Sequence, residues 1–516
     1  MKKFLVLLVS VVCLFANTKT TDKSGRPWQI VIHNINQVEM CVSNYGKFGQ
    51  DEASNAGCLW PKGSNHAYIF GAGYWFGVVD SSTGDTLVTV GYDPHDGTNE
   101  CVPGLQGMAT THPNAIIYMY PDNWPAPVDT FPMAPQDHLS DQDSWCCFND
   151  CDSLSHAPFD TRPIGIEVYQ TVYAWNEPEV EDVIFFKLEF KNVSDHNLKN
   201  CYVGVVTDCD IGDALDDVCT GIVEKPYFID DNLYIVDNLG YQWNWDDNDP
   251  TWGAIGFDLL QTPFDLQIGQ DKDNDGILDQ YERDSAYYWD NLPISKWDVD
   301  NDGVPDWRDA SENPQLEMTA LKRFTLDTDP SIDPERYMIL AGYNFQTGLY
   351  EPYDTVIPPP DDQRFSLSSG PFDISVDSII TVVFAVVLAD FGADATPAAE
   401  SCLVLADHLA QIQYDMNWLY AVAETPTSQI LKTNLAVCPN PSAVNTKISY
   451  ALAKSGAVSI KLYNTLGQLI KEVFNGYKAS GNCTVDLNTR GLAQGTYFLV
   501  LESPNGKMSR SLVVLH

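Results

Sequence analysis

Positive charge is scarce in this 516-residue sequence. Lys and Arg number 29 against 71 Asp and Glu, a formal charge of −42. Nucleic acid and anionic membrane surfaces would repel such a chain, so neither is expected as a partner. Long apolar runs are missing too. Beyond the first 16 residues the longest, Ile379 to Ala389, is far short of the roughly 20 residues a bilayer-spanning helix needs and reads as one buried strand. An integral membrane protein is therefore not expected. There is no Cys-x-x-Cys pair to signal a zinc or thioredoxin-like site. The H-E-x-x-H, G-x-S-x-G, Walker and Rossmann patterns are likewise absent, and the nine histidines are scattered. With 71 acids the paired carboxylates of a glycosidase stay open, but nothing selects any two of them.

What is present favours short strands joined by turns. Hydrophobic residues make up 44% and aromatics 12%, with 34 Gly and 31 Pro. Charge is unevenly spread: from Thr433 onward eight Lys or Arg face three Asp or Glu. That shift marks a domain boundary. At the N-terminus, Lys2 and Lys3 precede the apolar stretch Phe4 to Ala16, the pattern of a cleaved secretory signal over residues 1–16. Export makes disulfides an expectation, with Cys146, Cys147 and Cys151 and the group Cys201, Cys209 and Cys219 as the nearest sources.

The fold class expected is mainly β: a large multi-sheet β-sandwich region with a calcium-loop insertion and one C-terminal helix, then a small Ig-like sandwich. Phe186-Lys-Leu-Glu-Phe-Lys191 alternates strictly, and Cys201 to Thr207 and Leu233 to Val236 read as further strands. Glycines in Tyr68-Ile-Phe-Gly-Ala-Gly-Tyr-Trp-Phe-Gly77 suit close approach. Thr396 and Pro397 can open a helix whose Leu403, Leu409, Ile412, Met416 and Leu419 form a core-facing stripe. The large region spans 25–420, a sub-boundary near 160 being left open. A polar linker covers 421–432 and the small sandwich 433–516.

The sharpest chemical signal lies between Asp271 and Asp309. Asp271, Asp273, Asp275, Asp279 and Glu282 occupy positions 1, 3, 5, 9 and 12 of a loop with Gly276 at 6, and Ile277 offers its carbonyl at 7. Asp298, Asp300, Asp302, Val304, Asp306 and Asp309 repeat the arrangement. Ca²⁺ takes six to eight oxygens, which a chain supplies only by curling tightly around it. Five acids in twelve residues would otherwise repel one another and hold the loop open. A third cluster, Asp208-Cys-Asp210-Ile-Gly-Asp213-Ala-Leu-Asp216-Asp217, reads equally as a cation site or an acidic turn; Asp141-Gln-Asp143 is a weaker case. Trp243, Trp245 and Trp252 are the densest tryptophan group, a sugar-stacking platform or core.

The two loops resemble thrombospondin type 3 repeats and dockerin- or EF-hand-like calcium loops. Val437-Cys-Pro-Asn-Pro441, Tyr463-Asn-Thr-Leu-Gly467-Gln, Gly491-Leu-Ala-Gln-Gly495-Thr-Tyr-Phe498 and Ser511-Leu-Val-Val-Leu515 resemble the C-terminal sorting domain of type IX secretion and the related Ig-like domain of flagellar hook-capping proteins. Ser511 stands where such domains usually carry lysine. The resemblance implies a secreted or cell-surface protein whose C-terminal domain engages outer-membrane secretion machinery. From about Asn44 to Trp418 the chain is similar to uncharacterised secreted proteins with such tails, through Ser140-Asp-Gln-Asp143, Asp208-Cys-Asp-Ile-Gly212, Gly253-Ala-Ile-Gly-Phe257 and Ser369-Gly-Pro-Phe372. The function expected is a non-catalytic, calcium-binding structural or adhesive role, with a surface glycan or another surface protein as partner. The rivals are a secreted polysaccharide-active hydrolase and a carbohydrate-binding protein.

Overall fold

The alternating run at Phe186 lies in the strand Val183–Asn192, where Phe186, Leu188 and Phe190 are buried while Lys187, Glu189 and Lys191 are half-buried. The computed structural model describes residues 26–157, 160–229, 232–245, 253–264, 315–390, 397–419, 436–438, 442, 444–452, 456–464, 468–478, 481–503 and 506–514. The chain divides into two compact units, Met1–Ala410 and Gln411–His516. It is mainly β in both.

The first unit is a sandwich of two large antiparallel sheets. In one, Ala320–Thr325, Gln363–Ile374, Leu198–Asp208 and Gly71–Val79 run side by side, followed by short strands from the first 70 residues. In the other the order is Asp217–Ile229, Asn232–Asn244, Ala254–Gln261, Ile379–Ala389, Val183–Asn192, Ile166–Ala174 and Gln142–Asn149. Strands from both sides of residue 160 pair within each sheet, so the sub-boundary left open there falls inside one unit. Rings from opposite sheets meet along the middle: Phe48 on Phe186 at 4.6 Å, Phe76 on Phe190 at 5.3 Å, Phe257 on Phe365 at 5.7 Å. This aromatic seam accounts for the high Phe and Tyr content, since such rings remove the most apolar area from water per residue.

Glycines seat a helix on the outer face of each sheet. Helix α1 (Asp333–Leu340) lies over Gly77 and Gly204, where an added Cβ would come within 3.0 and 2.7 Å of Leu340. Helix α2 (Pro397–Tyr414) brings Leu403 over Gly256. The glycines thus admit helices onto the sheet as well as neighbouring strands. Eight residues of α1 are too few for a legible periodicity, and the sequence reading missed it. The buried face of α2 also differs from the stripe expected: Leu403, Val404, Asp407 and Ala410 are buried, while Ile412 and Met416 are exposed.

The cysteine expectation is corrected. Cys146, Cys147, Cys151, Cys201, Cys209 and Cys219 are all free thiols. Cys146 and Cys147 are neighbours on one strand and point to opposite faces. Cys201 lies in a strand and Cys209 just past its end; at about 3.3 Å per residue they are far beyond disulfide reach.

In the second unit, Asn445–Leu452 pairs with Ala436–Cys438 and Gly481–Asn488. A four-stranded sheet orders Leu469–Lys478, Gly456–Asn464, Gly495–Ser503 and Gly506–Val514. Ile448, Val458, Ile460, Leu462, Leu499, Leu501 and Leu512 close its core.

Candidate metal centre

Asp208 ends the strand Leu198–Asp208, and Asp210 follows on the loop leading to Asp217. Antiparallel register sets Asp208 opposite Arg364 on one side and Gly71 on the other. Asp362 stands just before the Arg364 strand, so sheet pairing delivers a third carboxylate from a distant part of the chain. One oxygen each from Asp208, Asp210 and Asp362 lie within 4.8 Å of one another. Asp208 is buried and the other two are partly exposed.

The surroundings explain how these acids are held. A Cβ at Gly71 would come within 2.4 Å of the Tyr92 ring, so only glycine there lets Tyr92 lie across the strand. The Tyr92 hydroxyl then donates to Asp208 Oδ2 at 3.1 Å. Asp217, fully buried, accepts from the Ile211 N–H at 3.1 Å and from Gln242 Nε2 at 3.0 Å. The Asp361 N–H donates to the Asp217 carbonyl at 3.0 Å, tying the segment that carries Asp362 to the loop that carries Asp210.

One cation serves several acids. Arg364 Nε is 3.2 Å from Asp208 Oδ1, and Nη1 is 3.3 Å from Asp362 Oδ1 and 3.8 Å from Asp329 Oδ2. None of these approaches has hydrogen-bond geometry. Burial therefore dominates: it raises Asp208 to about 7 and Asp329 to about 7 against the pull of Arg364. Asp210 rises to about 6 through burial and the Asp362 charge. Asp217 rises to about 9, again chiefly through burial. The centre holds more carboxyls than Arg364 alone could balance if all were ionised. Such an all-oxygen set suits a hard divalent cation.

The sequence singled out Asp208 and Asp210 but had no means of finding Asp362, whose partners are set by register alone. Of the same cluster, Asp213 instead caps a short turn by accepting from the Leu215 N–H. Asp143 accepts from the Leu139 and Ser140 N–H groups, so the Asp141-Gln-Asp143 run holds a turn. Trp243 is buried against Tyr241, Trp245 is 45% exposed, and Trp252 lies outside the described residues. The tandem loop residues Asp271, Asp273, Asp275, Ile277, Asp279, Glu282, Asp298, Asp300, Asp302, Val304, Asp306 and Asp309 also lie outside them. The nearest described residues on either side, Phe264 and Gln315, form an antiparallel bridge.

Residues 436–515 match the family described as secretion system C-terminal sorting domain. This segment is a type IX sorting domain. The sorting domain marks the protein for secretion or the cell surface and implies contact with the type IX machinery. Among the described residues no helix is long and apolar enough to cross a membrane. A search of curated proteins finds no match. Among solved structures the chain is similar to a polysaccharide lyase, at 7% identity and a TM-score of 0.23, over 95% of this chain and 46% of that one. The chain thus spans less than half the length of that structure.

Proposed function

We propose that this is an exported, calcium-binding protein of the cell surface or surrounding medium, with a structural or adhesive rather than catalytic role. The observation that carries the reading is the sorting domain at residues 436–515. Calcium enters through the spacing of acids in the loops Asp271 to Glu282 and Asp298 to Asp309. The Phe264–Gln315 bridge supports the reading of this stretch as an excursion, because its flanks meet at one point of the sandwich. Leu316 N–H donating to Pro263 O at 3.0 Å reinforces that closure. Abundant extracellular Ca²⁺ suits sites of affinity on the order of 10⁻⁴ to 10⁻³ M. On this reading the surface partner is a glycan or another surface protein.

Two measurements test it. Deleting residues 436–515 should abolish appearance of the protein in the medium or at the surface, read by cell fractionation; undiminished export of the truncated chain would overturn the sorting role. Calorimetric titration of the purified full chain with Ca²⁺ should release heat that Asp275→Asn with Asp302→Asn largely removes. Equal heats from parent and variant would sink the loop assignment.

A further inference from the structure

The geometry points to a second divalent-cation site, separate from the tandem loops, at Asp208, Asp210 and Asp362 in the wall of the large sandwich. Two independent observations meet there. The first is the spacing. Oxygens on opposite sides of a Ca²⁺ ion, each at 2.3–2.6 Å, stand about 5 Å apart at most. The three carboxylates place an oxygen each within 4.8 Å of the others, inside that limit.

The second observation is Asp329. Its side chain is only 1% exposed, yet neither of its oxygens accepts a hydrogen bond. It faces Arg364 Nη1 at 3.8 Å, the same nitrogen that faces Asp362. A carboxylate withdrawn from water and left without donors is costly unless positive charge lies near. Arg364 is shared among Asp208, Asp329 and Asp362, and its Nε and Nη1 have no hydrogen-bond acceptor. One guanidinium faces three carboxyls and Asp210 adds a fourth, so they cannot all ionise without a further cation. A divalent cation among Asp208, Asp210 and Asp362 lets all four ionise, with Arg364 and Asp329 paired behind it. Asp210 and Asp362 are partly exposed, which leaves the cation a route in and room for water to complete its shell. The site is assembled from two strands of one sheet, so it does not depend on the excursion between Phe264 and Gln315.

The experiment uses the full chain stripped with chelator, in four forms: parent, Asp275→Asn/Asp302→Asn, Asp210→Asn/Asp362→Asn, and the two pairs combined. The probes are Ca²⁺ in equilibrium dialysis and Tb³⁺ luminescence, which Tyr92 sensitises at short range through its contact with Asp208. The loop variant should keep one Ca²⁺ and a Tb³⁺ signal that falls when Tyr92→Phe is added. Adding Asp210→Asn/Asp362→Asn should weaken that remaining site at least about tenfold, as loss of shell groups does in metal sites. Thermal unfolding separates a binding role from a merely structural one. In chelator the Asp210→Asn/Asp362→Asn form should melt above the parent, because repulsion is relieved; in millimolar Ca²⁺ the order should reverse. A loop variant that is folded and binds no Ca²⁺ overturns this site while leaving the loops intact. A parent that loses Ca²⁺ only through Asp210→Asn/Asp362→Asn would instead overturn the loop assignment.

Discussion

Both units close a sandwich, but what they place inside it differs. In the sorting domain the strand Gly456–Asn464 turns Val458, Ile460 and Leu462 inward and leaves Ser459 and Lys461 partly in water. The buried polar residues described there are Ser442, Thr446 and Thr489, all hydroxyls. The large unit has strands buried at every position, such as Gln142–Asn149, because loops and helices cover its outer faces. It buries Asp208, Asp217, Asp258, Asp333 and Asp407 along with Lys322, Arg336 and Arg364. Hydroxyls find partners cheaply, whereas buried charges need assembled partners or protons. The smaller unit is therefore a plain fold suited to a transport signal. The larger one carries the buried charged groups.

The sharpest way to break this comparison is through the aromatic seam. Phe186 stacks on Phe384 at 4.8 Å and meets Phe48 from the other sheet. Phe186→Ala should cost the large unit about 3–5 kcal/mol, the usual range for emptying a packed aromatic site. All 13 tryptophans precede residue 436, so tryptophan fluorescence reports this loss without a contribution from the sorting domain. An unchanged urea midpoint would mean that the two sheets do not depend on the seam.

A smaller effect is expected at Gly71. Gly71→Ala forces a methyl into the Tyr92 ring and should cost about 1–3 kcal/mol, as overpacking does. It should also weaken cation binding at Asp208, because Tyr92 loses its position beside that carboxylate. Full stability with full binding would show that Tyr92 has another place to go.

The contrast between the units also explains what was legible in the sequence. A strand with one wet face alternates, so Phe186, Leu188 and Phe190 announced themselves; Val458, Ile460 and Leu462 follow the same period. Ile379 to Ala389 was readable by its β-branched run. Strands covered on both sides lose that period: Gln142–Asn149 alternates chemically only in which core each residue enters, Trp145 one way and Phe148 the other. Helix α1 was hidden for a related reason. Its buried face includes Arg336, held by Asp93 at 2.6 Å, Asp333 at 3.1 Å and Asp160 at 3.3 Å, and a hydropathy pattern counts such a residue as outside. At the candidate metal centre, Asp208 and Asp210 stood out by local density. Asp362 and Arg364 became partners through register between Leu198–Asp208 and Gln363–Ile374, a relation no local pattern contains.

A last expected effect concerns protons and follows from the buried acids of the large unit alone. Asp258, on the strand Ala254–Gln261, and Asp407, on α2, are both buried and share a hydrogen bond. Burial pushes both carboxyls well above the usual range; the Asp407 and Glu317 charges add to it at Asp258, and the Asp237 charge adds to it at Asp407, where the hydrogen bond from Asp258 pulls the other way. A carboxyl with a raised folded-state pKa holds its proton more tightly folded than unfolded. Its contribution to stability is therefore present below the unfolded value near 4 and is lost as pH climbs toward the folded value. Asp407→Asn keeps a polar partner for Asp258 but removes one such proton. The stability of the large unit should then fall less steeply between pH 5 and 8, by up to about 1.4 kcal/mol per pH unit. Urea midpoints from tryptophan fluorescence at several pH values give the slope. The sorting domain, with hydroxyls as its described buried polar groups, should show little slope from this source when studied as residues 433–516. Parallel pH curves for parent and Asp407→Asn would show that the pair gives up its proton without cost, and that the large unit's buried acids are better solvated than their packing implies.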